Sequence, residues 1–248
     1  MSEGMHSKHP IFGNRDASPA RRFGIYGFVM GFVIALTAML TLSACDGSKD
    51  GDESTKVNGS IHVPAGRQPG AVATVNGSIH VDDNAAVTSA TTVNGNVHLG
   101  DHASATSLNS VNGSIVLGTD AHLSGDASSV NGELTLGAGA DVTGSLSNVN
   151  GKITVTAAHV GGGIKTVSGS MNITGASRVD GGIRVEKPSS ELIQLVRDVP
   201  RIVIGPGATV QGELHFERTV QLFVSDKATI GSVTGATPIS FSGDTPPP

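Results

Sequence analysis

From Val57 onward the apolar residues fall on a grid of sixes. They recur as Val75, Val81 and Val87, then Val93, Leu99 and Ala105, then Val111, Leu117 and Leu123. After one inserted residue come Val130, Leu136 and Val142, after another Val149 and Val155, and then Val167, Ile173, Val179 and Val185. The fifth position of each six is also apolar or small, as at Ile79, Ala85, Val97, Ala103, Ile115, Ala121, Leu134, Ala140 and Ile153. Three sixes make a longer unit. Val-Asn-Gly opens at Val57, Val75, Val93, Val111, Val130 and Val149 and returns as Val167-Ser168-Gly169, at spacings of 18, 18, 18, 19, 19 and 18 residues. A fixed period this short marks one supersecondary unit stacked on copies of itself.

In a strand, successive side chains point to opposite faces, so residues one and five of each six face inward together. A turn after each six bends the chain, and three bends close a triangular coil that pairs in parallel with the next, about 4.8 Å away. Gly59, Gly77, Gly95, Gly113, Gly132 and Gly151 supply the backbone angles a corner needs. Before them stand Asn58, Asn76, Asn94, Asn112, Asn131 and Asn150, which tolerate such angles. Stacked coil on coil, their amides form a ladder. One Asn-Gly alone would read as a hairpin turn, but six in register point to a solenoid. The predicted fold is all-β, a single-stranded parallel β-helix of about 18 residues per coil. Its hand stays open, because parallel crossovers are usually right-handed and strict hexads are the known exception.

The chain divides into a signal peptide (1–44), a polar tether (45–56), β-helix repeats (57–185), an interrupting loop or short helix (186–202), further coils with a cap (203–236) and a disordered tail (237–248). Glu186-Lys187-Pro188 breaks the grid, and Glu191 to Arg197 forms the candidate helix. Ile204, Val210, Phe216 and Leu222 then resume the sixes. Phe216, Phe223 and Phe241 suit a terminal cap, since a last coil has no neighbour to cover its core.

The N-terminus is of another kind. Arg21-Arg22 precedes an uncharged run from Phe23 to Leu42, followed by Leu42-Ser43-Ala44-Cys45, the parts of a secretory signal. An uncleaved membrane helix is the plainer alternative, since about 20 apolar residues span a bilayer. Cys45 is the only cysteine, which excludes an intramolecular disulfide. Four of the 16 basic and two of the 21 acidic residues lie in 1–44, so the remainder carries 12 and 19, a balance of −7. Diffuse acidity without a basic stripe argues against nucleic acid. Trp is absent and the one tyrosine, Tyr26, leaves with the signal.

Leu42-Ser43-Ala44-Cys45 resembles a bacterial lipobox, which implies lipidation (a palmitate-type acyl chain among others) of Cys45 as the new N-terminus. Asp46 resembles the signal for inner-membrane retention in enterobacteria, which leans toward a periplasm-facing inner-membrane protein over one at the cell surface. The hexads are similar to those of left-handed hexapeptide-repeat proteins. Thr74-Val75-Asn76-Gly77-Ser78-Ile79 and Thr166-Val167-Ser168-Gly169-Ser170-Met171 resemble adhesin-like β-repeat proteins of bacterial envelopes. The run from Ile204 to Leu214 is similar to bactofilins, β-helix scaffolds that form polymers.

His62, His80 and His98 recur at 18 on one face and stack into a column. Such imidazoles can share zinc or copper or act as a pH-dependent patch. Yet no carboxylate or Cys shares the column, a closed structural site needs four ligands, and a solvated polar stack is the plainer reading. Asp82, Asp83, Asp101, Asp120 and Asp141 cluster near corners and invite calcium, though turn chemistry explains them as well. His159 is the lone candidate general base, and no grouping for catalysis converges around it. The expected function is therefore a membrane-anchored envelope lipoprotein with a non-catalytic, adhesin-like structural and interaction module and no cofactor. The alternatives are a bactofilin-like scaffold and, third, a hexapeptide-repeat acyltransferase-type enzyme. The expected partners are a membrane, through the lipid on Cys45, and another copy of the chain or an envelope protein or polysaccharide.

Overall fold

The computed structural model describes residues 55–188 and 198–247. Within them all regular structure is strand, 26 short segments in a parallel β-solenoid of about ten turns. The signal 1–44, Cys45, most of the tether 45–56 and the helix candidate Glu191–Arg197 lie outside the described residues.

Each coil contributes strand segments to three faces. The first is a ten-stranded parallel sheet that starts at Ile61–Val63 and runs through Ile79–Val81, Val97–Leu99 and their successors to Pro238–Phe241. The other two faces join in one 16-stranded sheet, because Ala86–Asn94 and Ser104–Asn112 run unbroken around the corner between them. Register follows the repeat, as in Ile79 opposite Val97 and Val81 opposite Leu99. The first inserted residue is absorbed in a turn: Ala105 pairs Leu123 but Leu108 pairs Ala127, so Ser124-Gly125-Asp126 takes up the difference.

Three-residue strands with their outer two residues buried, such as Ile79–Val81 and Ile115–Leu117, line one continuous core. The inward positions of the grid hold on two faces, where Val81, Leu99 and Leu117 on one and Val87, Ala105 and Leu123 on the other are buried. On the third face the phase differs. There Val72 and Thr74, Ala90 and Thr92, and Leu108 and Ser110 point inward, so Val75, Val93, Val111 and Val130 of the Val-Asn-Gly unit are only half-buried on the outside. Alternation forces this, since the valine follows an inward residue directly. Val149 and Val167 are buried, but in a separate apolar cluster with Val130 outside the main core.

Two expectations for the C-terminal end change. Pro238–Phe241, within the stretch read as a disordered tail, adds a strand beside Gln221–Ser225, and the Pro247 carbonyl accepts from Arg201 Nη2 at 2.6 Å. Phe223 does not plug the coil. It lies on the outward position opposite Val203, with the Arg201 guanidinium 4.6 Å from its ring centre.

Candidate functional site

The Asn-Gly corners are the most repeated chemistry in the chain, and they serve the stacking of coils. Asn76 Nδ2 donates to Asn58 Oδ1 at 3.0 Å, Asn94 to Asn76 at 2.9 Å, and Asn112 to Asn94 and Asn131 to Asn112 at 3.0 Å. Asn150 continues the column without an amide bond to Asn131, and Ser168 Oγ donates to its Oδ1 at 3.5 Å. The glycines serve both backbone angle, with φ of 114° at Gly59, 159° at Gly95 and 126° at Gly151, and space. A Cβ on Gly77, Gly95, Gly113, Gly132 or Gly151 would overlap the carbonyl oxygen of the glycine one coil before it. The residues other than glycine with left-handed angles fall at a different corner, on Asn84, His102, Asp120 and Ala157 with φ between 48° and 58°.

Behind each corner lies a column that the grid of sixes misses. Thr74 Oγ1 donates to Gly59 O at 3.0 Å, Thr92 to Gly77 at 2.9 Å, Ser110 to Gly95 and Ser129 to Gly113 at 3.1 Å, and Asn148 Nδ2 to Gly132 at 2.7 Å. These buried polar side chains satisfy corner carbonyls that would otherwise lack a partner. Asn148 Oδ1 is the exception, buried with no hydrogen-bond partner. The signal was present in the sequence as Thr or Ser before four of the six Val-Asn-Gly units, at Thr74, Thr92, Ser110 and Ser129, with Asn148 before a fifth.

His62, His80 and His98 do form a column. The His80 and His98 rings stack with centres 4.7 Å apart and planes 5° apart, and His62 tilts by 48° at 5.7 Å from His80. A carboxylate joins them after all. Asp82, on the following turn, places Oδ1 2.8 Å from His62 Nε2 and 3.2 Å from His80 Nε2. The His62 contact holds the Asp82 carboxyl below its ordinary pKa. Burial, and next the charge of His80, lower that of His98, so the stack disfavours full protonation. Among the described residues no three or more His, Cys, Asp or Glu side chains are arranged to hold a metal ion.

A second chain of contacts crosses the next face. His122 Nδ1 lies 3.0 Å from Asp141 Oδ2, and His159 sits between Asp141 Oδ1 at 2.5 Å and Asp180 Oδ2 at 3.0 Å. Arg178 Nε closes on Asp180 Oδ1 at 2.6 Å. Hydrogen bonds to Asp141 and then Asp180 raise the His159 pKa. Both ring nitrogens are thereby engaged, which leaves the candidate base no free lone pair for a substrate. Two other corner carboxylates are occupied with the backbone, Asp83 Oδ1 accepting from Asp101 N at 2.8 Å and Asp101 Oδ1 from Thr119 N at 2.7 Å, while Asp120 Oδ2 lies 3.9 Å from His102 Nδ1.

The sequence reading missed one concavity. A cavity of about 320 Å³ opens on the third face, floored by Gly163, Ile164, Gly182 and Ile183 and rimmed by Lys165, Arg184, Glu213 and His215. The runs Gly161-Gly162-Gly163 and Gly181-Gly182 were its available signal. Comparisons of the chain with protein-family models, with curated proteins and with solved structures return no match.

Proposed function

We propose that this chain is a lipid-anchored protein of the bacterial cell envelope, held through Cys45, whose solenoid is a non-catalytic structural and interaction module. The observation that carries this reading is where the polar side chains are directed. The Asn ladder, the inward hydroxyls, the corner aspartates and the His–Asp contacts all bond to the neighbouring coil. Such a chain gains a long, regular surface rather than a convergent reactive centre. The lipobox-like Leu42-Ser43-Ala44-Cys45 and the polar run after it supply the anchor and a tether, and Asp46 favours retention in the inner membrane. Fractionation tests the placement. The wild-type chain should sediment with membranes and incorporate labelled palmitate, and Cys45→Ala should not take up the label; wild-type protein in the cytosolic fraction, or unlabelled wild-type protein, would overturn the reading.

A scaffold that polymerises end to end is the second reading. It is favoured by the terminal strands Ile61–Val63 and Pro238–Phe241, each paired on one side only among the described residues. Filaments of the delipidated protein in electron micrographs would select it, and monodisperse single rods would reject it.

A further inference from the structure

Along several corners a side chain of one coil accepts the N–H of the residue below it. Ser60, Ser78 and Asn96 do so for Ser78, Asn96 and Ser114, and Asp126 Oδ1 takes Ser145 N at 2.7 Å. Below Ser145 the same column holds Gly163, Gly182 and Glu213, as the pairing of Leu146 with Ile164, Ile164 with Ile183 and Ile183 with Leu214 fixes. Glycine offers no acceptor. The N–H groups of Gly163, Gly182 and Glu213 have no partner among the described residues, while their carbonyls accept from Leu146, Ile164 and Ile183 at 3.1, 2.9 and 3.0 Å.

All three residues line the cavity, and Gly182 and Glu213 lie below glycines, where the side chain that would take their N–H is missing. Lys165 stands at its rim, exposed and without an ion-pair partner among the described residues. Arg184 is next to it in the column and holds Glu217 Oε1 at 3.0 Å. Glu213 Oε1 is taken up by the Thr234 hydroxyl at 2.8 Å. Stacked backbone N–H groups beside cations form an anion-binding concavity, and charge-assisted bonds to such an anion are the strong ones. The volume is at the small end of ligand clefts.

We propose that this groove binds an oxyanion, the carboxylate of an acidic sugar or a phosphate group. It would do for Gly182 and Glu213 what the Asp126 carboxylate does for Ser145. This rests on the reading of the solenoid as an interaction module and is independent of the lipid anchor. A chain that fails to be lipidated yet binds the anion would sink the anchor alone. Close packing of the coils also requires glycine at 182, where a Cβ would overlap the Glu213 carbonyl, so the test leaves the glycines in place.

The experiment is a ¹H–¹⁵N titration of the full chain in uncharged detergent with glucuronate, inorganic phosphate and methyl glucoside. Saturable shifts at the Gly163, Gly182 and Glu213 amides are expected with an anion and not with the neutral sugar. Whichever anion binds tighter identifies the source. Lys165→Gln should weaken binding about tenfold, the scale of one hydrogen bond to a charged group, and Lys165→Arg should restore it, with the remaining spectrum unchanged. Unmoved amides with both anions, or the same titration in Lys165→Gln, would overturn the proposal.

Discussion

Replacing Gly113 by Ala isolates the physical reason for the Asn-Gly corners. Gly113 is not among the glycines with positive φ, so a side chain there meets no conformational strain of its own. Its Cβ would instead overlap the Gly95 carbonyl and approach Asn96 Oδ1 to 3.1 Å. The carbonyl is backbone, and the overlap is relieved only by parting two coils. That stretches the bonds from Gly95 N to Asn112 O at 3.2 Å and from Val97 N to Ser114 O at 2.9 Å. Two weakened hydrogen bonds at about 1 kcal/mol each, with an overpacking cost of about 1 kcal/mol or more, give roughly 3 kcal/mol. Gly66 is the control, with φ +73° and nothing within 4 Å of a built Cβ. Gly66→Ala should lose only about 1 kcal/mol, the cost of a left-handed residue. His98→Ala, on the outer face, should lose less again. Urea unfolding followed by far-ultraviolet circular dichroism reads these as midpoint shifts, the appropriate readout for a solenoid of coupled coils. A Gly113→Ala midpoint at or above that of Gly66→Ala would refute close coil approach as the reason for the corner glycines.

The buried polar column predicts opposite responses from adjacent residues. Thr92→Val removes the donor to Gly77 O and should cost about 1–2 kcal/mol, whereas Val93→Thr on the half-buried outside should stay within about 0.5 kcal/mol; equal midpoint shifts would contradict the phase of the third face. Asn148→Ser removes the orphaned Oδ1 and matches Ser110 and Ser129, so the melting temperature should rise by an amount equivalent to about 1 kcal/mol. A drop in melting temperature would show that the amide fills space the hydroxyl cannot. His159 has a folded pKa raised above its ordinary 6.5 by Asp141 and Asp180. Its stabilising contribution is complete below 6.5 and is lost as pH rises through the elevated folded value. His98 has the opposite sign, since its lowered pKa makes the fold lose stability as pH falls. Melting curves across this range should therefore show His159→Gln losing the decline above 6.5 and keeping the acid limb; an unchanged profile would contradict the contact geometry.

The solenoid was legible because its core is so thin that each inward position is one side chain, and an apolar grid such as Val81, Leu99 and Leu117 states the coil directly. The third face was not, because its most repeated word misled. Val-Asn-Gly draws attention to a valine, while the inward residue is the Thr or Ser before it, whose hydroxyl bonds a corner carbonyl. A polar inward residue breaks the apolar pattern that reveals strands. The His column was legible from spacing alone, but Asp82 reaches it from a neighbouring turn, and His159 meets carboxylates in the coils on both sides. Contacts between columns depend on side-chain reach, which periodicity does not encode. The groove at Lys165 arises from two missing side chains in a column, a feature visible only once the register is known.

The central claim, a solenoid presented from a membrane by a lipid on Cys45, is tested most directly by the intact mass of the protein purified from membranes beside its Cys45→Ala variant. A mature chain that begins at a diacylated or triacylated Cys45, with the variant unprocessed at that point, is the predicted result. A wild-type mass that starts at Met1 and carries no lipid would contradict it.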